Sequence, residues 1–406
     1  MISSFDADND LAAYLGDSVV ASALEAWAGG HALRVAVPPE PWRRRGGSGA
    51  LLVRVRVTRI AGDRGPSDLL MKVCSPGSPA GEPAIHERAW QLSPTFARRH
   101  LFRQAFPATI LQDGRVLMYL DSSESLVDDR TLGELPIRLL VDCATATIRL
   151  VWGEWNGRTR RREVSTVADV LRCELRGAFD KGRSAYRWLQ QAGFDVEDAQ
   201  VQALSDASAQ LNAMVSLLVR GSELGQRKLE YFCGNSHGDL HLDNVIVPFG
   251  PDESPDPGRI KLIDLSGFSP TAPLTRDLAT LLTSCALKVV RKGVTPAETS
   301  ALVDALTASR PTAVTSCRAE SPAVKDMLGV LHAVRSAALA EFDADLQHLL
   351  HAQYLLSLIA QAITYTSYRN IGHFGRRWYF ELGISAAERF VAFYDSGPLV
   401  SSTWLK

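Results

Sequence analysis

One stretch limits more than any other what this chain can become. It reads Ser236-His237-Gly238-Asp239-Leu240-His241-Leu242-Asp243-Asn244 and runs straight into Val245-Ile246-Val247. A second apolar run, Ile260-Lys261-Leu262-Ile263, ends in Asp264-Leu265-Ser266-Gly267. Two short strands framing a loop fit this pattern, and the turn formers of Asp252 to Gly258 make a hairpin tip between them. Asp239, Asn244 and Asp264 then stand at loop and strand ends. Three such oxygen donors suit a hard cation such as magnesium and can orient a hydroxyl. Spacing alone leaves a second chemistry open, because His237, Asp239 and His241 alternate along the loop as zinc ligands of a hydrolase would.

The residues upstream bear on that choice. Residues 1–31 carry acids and alanines with Leu11, Leu15, Val19 and Val20 at helical spacing, and predict a helical appendage closed by Gly29-Gly30. From Ala32 the period becomes two, with strands expected near 32–37, 51–60, 68–74, 106–111 and 115–120. The turn Gly46-Gly47-Ser48-Gly49 lies between the first two, and without Cβ atoms its backbone N–H groups can approach a phosphate. Arg43, Arg44 and Arg45 before it read as a solvated basic loop or as phosphate contacts. Lys72 sits among apolar residues, sharing a strand face with Leu70 and Cys74. A lysine buried there needs an anion. Glu87, on the helix expected near 83–90, is the first candidate, and Glu82 is the alternative.

Beyond Asp121 the texture is mainly helical. An Asn156-Gly157 turn between two alternating runs, 146–155 and 158–164, predicts a hairpin. Helices are expected over 167–179, 184–192, 197–218 and 276–290, and on to Tyr394. At 406 residues the chain is long enough for two domains. A net charge of −1 gives no reason to expect nucleic acid or an anionic membrane surface as partner. The first ten residues lack a basic n-region, and no apolar run reaches the roughly 18 residues of a membrane span, so a cytoplasmic protein without a signal peptide is expected. Six cysteines without CxxC spacing suit reduced thiols.

With these parts in order, the chain resembles the aminoglycoside phosphotransferase and choline kinase family, a branch of the protein-kinase-like fold. The resemblance is carried by His237-Gly238-Asp239-Leu240-His241-x-x-Asn244, by Ile263-Asp264-x-x-Gly267, and by Lys72 and Glu87 upstream of both. It covers roughly residues 32 to 290. It implies an α+β, bilobal fold: a small antiparallel β-rich N-lobe at 32–121 and a larger, mainly helical C-lobe at 122–406. The catalytic loop falls at 236–267, and an insertion at 130–230 helps to build an acceptor pocket.

The resemblance also implies roles. Asp239 accepts or orients the acceptor hydroxyl, and Asn244 and Asp264 ligate Mg2+. Lys72, held by Glu87, neutralises the phosphates of ATP, with Gly46, Gly47, Ser48 and Gly49 lying over them. His237 and Gly238 support the loop, His241 either supports it or touches phosphate, Asp277 braces it, and Tyr119 to Asp121 form the hinge beside adenine. The expected activity is Mg-assisted transfer of the γ-phosphoryl group to a hydroxyl of a small molecule. The glycine turn is shorter than GxGxxG, and no activation-loop segment separates Asp264 from Asp277, which favours a small-molecule acceptor over a protein. Glu341-Phe342-Asp343-Ala344-Asp345 could receive a cationic acceptor or be an exposed acidic face. The glycine turn and the insertion together are also similar to kinase-like domains of bacterial signalling or conflict systems, which implies the alternative of a nucleotide-binding regulatory module.

Overall fold

A computed structural model of the chain describes residues 10–45, 50–61, 65–74, 81–122, 129–175, 178, 182–191, 194–197, 200–203, 214, 216–218, 221–309 and 319–395. The chain divides into two compact units. One comprises residues 1–130, 246–254 and 259–266, and the other comprises 131–245, 255–258 and 267–406.

The first unit is built on a six-stranded antiparallel sheet. Its strands are β1 (Leu33–Ala36), β2 (Arg43–Arg45), β3 (Leu51–Arg59), β4 (Ser67–Cys74), β5 (Gln104–Ile110) and β6 (Val116–Asp121). The order is β1-β3-β4-β6-β5, with β2 also paired to β3. Period-two side chains give each strand two faces, and here both are covered. Leu69, Met71 and Val73 of β4 join Val53, Val55, Leu117 and Tyr119 in one cluster. Leu70 and Cys74 join Met118, Leu120, Ile246 and Ile263 in the other. Lys72 therefore stands on a covered face, as its neighbours in sequence predict.

Two expectations for this unit are corrected. Residues 11–30 are not an appendage. They form helices α1 (Leu11–Leu15) and α2 (Ser18–Gly30), whose Leu11, Leu15, Val20, Leu24 and Trp27 belong to the first cluster of the sheet. The apolar stripe that predicts the helices is thus the face that covers the sheet. Arg43–Arg45 is not a loop but an edge strand on β3, with Arg43 facing Val53 across the ladder. The glycine turn, 46–49, lies outside the described residues. After β4 come helices α3 (Glu82–Leu92) and α4 (Pro94–His100). His100 Nδ1 donates to the Ile260 carbonyl at 2.9 Å, and Leu101 bridges Leu262 in parallel. These contacts fasten the strand Lys261–Leu262, which leads to Asp264, inside the same unit.

The second unit is mainly helical. The hairpin expected at 146–164 does not form. Helix α5 (Ile137–Arg149) continues as a π-helical turn, Leu150–Trp155. Ile148, Leu150, Val151, Trp152 and Trp155 are all buried, and a short apolar run of this kind fits a helix as well as a strand. Asn156 ends it, donating from its buried amide to the carbonyls of Val151 at 2.9 Å and Asn235 at 2.7 Å. The strand that follows, Arg161–Thr166, pairs instead with Lys228–Ser236. Where a helix is expected at 197–218, Gln200–Ala203 is a strand paired with Phe194–Glu197. Helices α6 (Thr275–Val290), α7 (Gln347–Thr366) and α8 (Gly372–Asp395) complete the framework. The insertion is stitched to it by Glu174, which takes the Arg276 guanidinium at 2.9 Å and the Ser357 hydroxyl at 2.6 Å.

Candidate active site

In the first unit, Lys72 is only 6% exposed. Its ammonium lies 2.8 Å from Asp264 Oδ1 and pairs also with Glu82. Burial pulls its pKa down, but the carboxylates of Asp264 and Glu82 outweigh that and hold it above the usual lysine range. Glu82 Oε2 accepts a hydrogen bond from the Cys74 thiol at 3.3 Å, and burial beside Glu82 pushes that thiol up to about 12.

Glu87 is not the partner of Lys72. It is exposed and accepts from Gln91 at 3.0 Å. Five positions along a helix turn a side chain by roughly 140°, so Glu82 and Glu87 cannot face the same neighbour. The buried positions of α3 are Glu82, His86 and Ala89. That i, i+4, i+7 stripe was the signal that singles out Glu82. Its place in the first turn also suits a carboxylate to the helix dipole.

Asp264 follows the strand Lys261–Leu262 with φ of +63°. Among residues other than glycine, Asp and Asn tolerate this left-handed conformation best. Ser266 donates to its Oδ1 at 2.7 Å. Backbone held in a sparsely populated region marks a place where side-chain direction matters.

The Tyr119 side chain belongs to the core of the sheet. It is fully buried in β6, flanked by Met71 on β4 and Phe106 on β5. Its ring stacks on Trp27 at 4.0 Å, and its hydroxyl shares a hydrogen bond with Thr109. A tyrosine in the middle of a strand with sheet on both sides is core. Residues 123–128, beyond the strand end, lie outside the described residues.

The second unit holds the loop after Lys228–Ser236. Asp277, 1% exposed in the first turn of α6, takes three donors: Ser236 Oγ at 3.0 Å, His237 N at 2.8 Å and Gly238 N at 2.8 Å. Gly238 adopts φ of +84°, which a glycine reaches without Cβ strain. The His237 side chain is inside, and its Nδ1 accepts from Asp239 N at 3.3 Å. His241 turns back to accept from Asp243 N at 3.2 Å. His237 and His241 therefore serve loop geometry. Among the described residues, no three His, Cys, Asp or Glu side chains gather as a metal site, so the alternating triplet is not a ligand set.

Asn244 donates its amide to the Asp239 carbonyl at 2.8 Å. A carbonyl can only accept, so this contact fixes which end of the amide is nitrogen and leaves Oδ1 as an acceptor. The Asp239 carboxylate is 43% exposed. Its Oδ1 accepts the Tyr365 hydroxyl at 3.2 Å, and its Oδ2 lies 3.8 Å from His241 Nε2. Tyr365 is a site residue that sequence reading misses, because nothing in the helical texture near 365 refers to the loop. Of the acidic late segment, Asp343 and Asp345 are exposed.

No family model matches this chain, and no curated protein matches it. Solved structures that it resembles include an aminoglycoside-3'-phosphotransferase of type VIII, at 16% identity over 79% of this chain and 99% of that one, TM-score 0.35. A glucosamine kinase matches at 14% identity over 92% and 83%, TM-score 0.37. A spectinomycin phosphotransferase in complex with ADP and spectinomycin matches at 12% identity over 87% and 92%, TM-score 0.36. At these scores the likenesses carry no weight for function, which is read from the residues.

Proposed function

We propose that this chain is a phosphotransferase that moves the γ-phosphoryl group of ATP to a hydroxyl of a small molecule. The observation that carries the reading is the pairing of buried Lys72 with Asp264 and Glu82. The chain brings a strand lysine, a helix glutamate and the aspartate after the Ile260–Ile263 run to one point, as a phosphate-binding constellation requires. The loop with Asp239 and Asn244 supports the same reading.

The donor chemistry fits Mg2+: the Asp264 carboxylate and the Asn244 carbonyl are hard oxygen ligands. When bound, the ion neutralises charge on the phosphates. The chain's residues do the rest. Lys72 offsets phosphate charge, with Glu82 as its holder. Asp239 receives the proton of the acceptor hydroxyl as the acceptor oxygen bonds to the γ-phosphorus. The bond from that phosphorus to the bridging oxygen breaks, and ADP leaves with the electron pair. The proton then passes to solvent.

The test is a nucleotide-consumption screen with Mg·ATP against kanamycin, spectinomycin, glucosamine, choline and other hydroxyl compounds, with Asp239→Ala as the blank. Turnover by the wild type should fall on the order of a thousandfold or more in the variant. Its ATP binding should stay close to that of the wild type. Wild-type turnover in Asp239→Ala sinks the mechanism. ATP binding without transfer to any acceptor favours the regulatory-module alternative.

A further inference from the structure

Tyr365 touches the carboxylate on which the proposed reaction turns. We infer that Tyr365 is a positioning residue: its hydroxyl pins Asp239 Oδ1, so that Oδ2 is the oxygen presented to the acceptor hydroxyl. The inference rests on the reading of Asp239 as proton acceptor.

Three observations carry it. First, the other devices around the loop act on backbone. Asp277 holds His237 N and Gly238 N, and Asn244 holds the Asp239 carbonyl. None of these fixes the carboxylate. Among the described residues, the Tyr365 hydroxyl at 3.2 Å is the side-chain group within hydrogen-bonding reach of it. His241 at 3.8 Å is beyond that reach. Second, the phenol arrives already oriented. Its ring stacks on Tyr379 at 5.0 Å and 16° and meets Tyr368 edge-on at 5.5 Å. Tyr379 in turn lies against Trp378 at 4.8 Å, and both are buried. Third, the hydroxyl stays a donor. Burial, then the charge of Asp239, holds the Tyr365 phenol well above the usual tyrosine range. A protonated phenol beside a carboxylate donates to it, and bonds of this charge-assisted kind are the strong ones.

Tyr365 stands in the last turn of Gln347–Thr366, whose preceding residues are almost all buried. A rigid helix end places the phenol more exactly than a loop does.

The experiment is a double-mutant cycle on the full chain. Wild type, Tyr365→Phe, Asp239→Asn and the double variant are assayed with Mg·ATP against the same panel, water included as an acceptor. Phe keeps the ring and its stacking on Tyr379, and far-UV circular dichroism and thermal denaturation check the fold. Tyr365→Phe should lower kcat on the order of tenfold to a hundredfold, the range of a hydrogen bond to a charged group. The KM for ATP should stay within about twofold. Once Asp239 is Asn, the same substitution should change nothing further. The inference is overturned if Tyr365→Phe turns over at the wild-type rate while Asp239→Asn is inactive. It is also overturned if Tyr365→Phe costs the same factor in both backgrounds, which marks a purely structural residue. Wild-type turnover in Asp239→Asn, or no turnover by the wild type, overturns the functional reading itself and this inference with it.

Discussion

Lys72 in the first unit and Asp239 in the second are both charged, yet their surroundings have little in common. Lys72 is enclosed, its charge met by two carboxylates on a covered sheet face. Asp239 keeps an open carboxylate, and the burial around it belongs to residues that hold its loop. Lys72 is fixed by ion pairing, and the loop that carries Asp239 by backbone hydrogen bonds to Asp277. Removing the charge itself should therefore damage stability in the first constellation and chemistry in the second. In the second, stability resides in Asp277.

Asp277→Ala is the largest break of this contrast. It strips three donors of their acceptor, two of them in buried hydrogen bonds. Leaving buried groups unpaired costs about 1–3 kcal/mol each, with partial relaxation. A loss of about 3–5 kcal/mol in urea denaturation is expected, along with loss of turnover. Asp239→Ala, on a half-exposed side chain, should change stability by no more than about 1 kcal/mol. Equal destabilisation by the two variants sinks the distinction between bracing and working carboxylate.

Lys72→Met sharpens the other side. It leaves Glu82, 2% exposed, without its cation, so a stability loss of about 3 kcal/mol is expected. Nucleotide affinity should fall too. The pH dependence has a definite sign. The folded-state pKa of Lys72 is raised above its unfolded value, so its contribution is fully present below the unfolded pKa of about 10.4. It is lost as pH rises through the still higher folded value. The gap in stability between wild type and Lys72→Met should stay flat through neutral pH and narrow only in strong alkali. A gap that closes between pH 6 and 8 contradicts the buried ion pair.

How far the sequence reached follows from the range of each signal. The β4 strand was legible because Leu70, Lys72 and Cys74 alternate with Leu69, Met71 and Val73, a local pattern. The loop at 236–244 was legible because its polar, glycine-containing run leads straight into the apolar Val245-Ile246-Val247, a local pattern. The run to Trp155 was misread because a short apolar stretch before an Asn-Gly pair fits a strand as well as a helix. Arg43–Arg45 was misread because an edge strand needs a partner to be recognised, and that partner is β3. Tyr365 was invisible because its partner Asp239 is 126 residues away, and no periodicity spans that distance.

The choice between Glu82 and Glu87 gives the finest test, because the two residues share a helix and a charge. Glu82→Gln keeps volume and removes the anion from a buried lysine. Nucleotide affinity should weaken on the order of tenfold, the scale of one charge-assisted contact. Asp264 still meets Lys72 at 2.8 Å, so the lysine is not left unpaired, and the stability loss should stay below that of Lys72→Met. Glu87→Gln changes an exposed side chain whose contact is Gln91, one turn further along. Its effect on stability should lie within about 0.5 kcal/mol, with nucleotide affinity unchanged. Isothermal titration with ATP in the presence of Mg2+ measures both. If Glu87→Gln weakens binding and Glu82→Gln does not, the lysine finds its partner on the outer face of α3 when nucleotide is bound, and the buried pair is a property of the free chain alone.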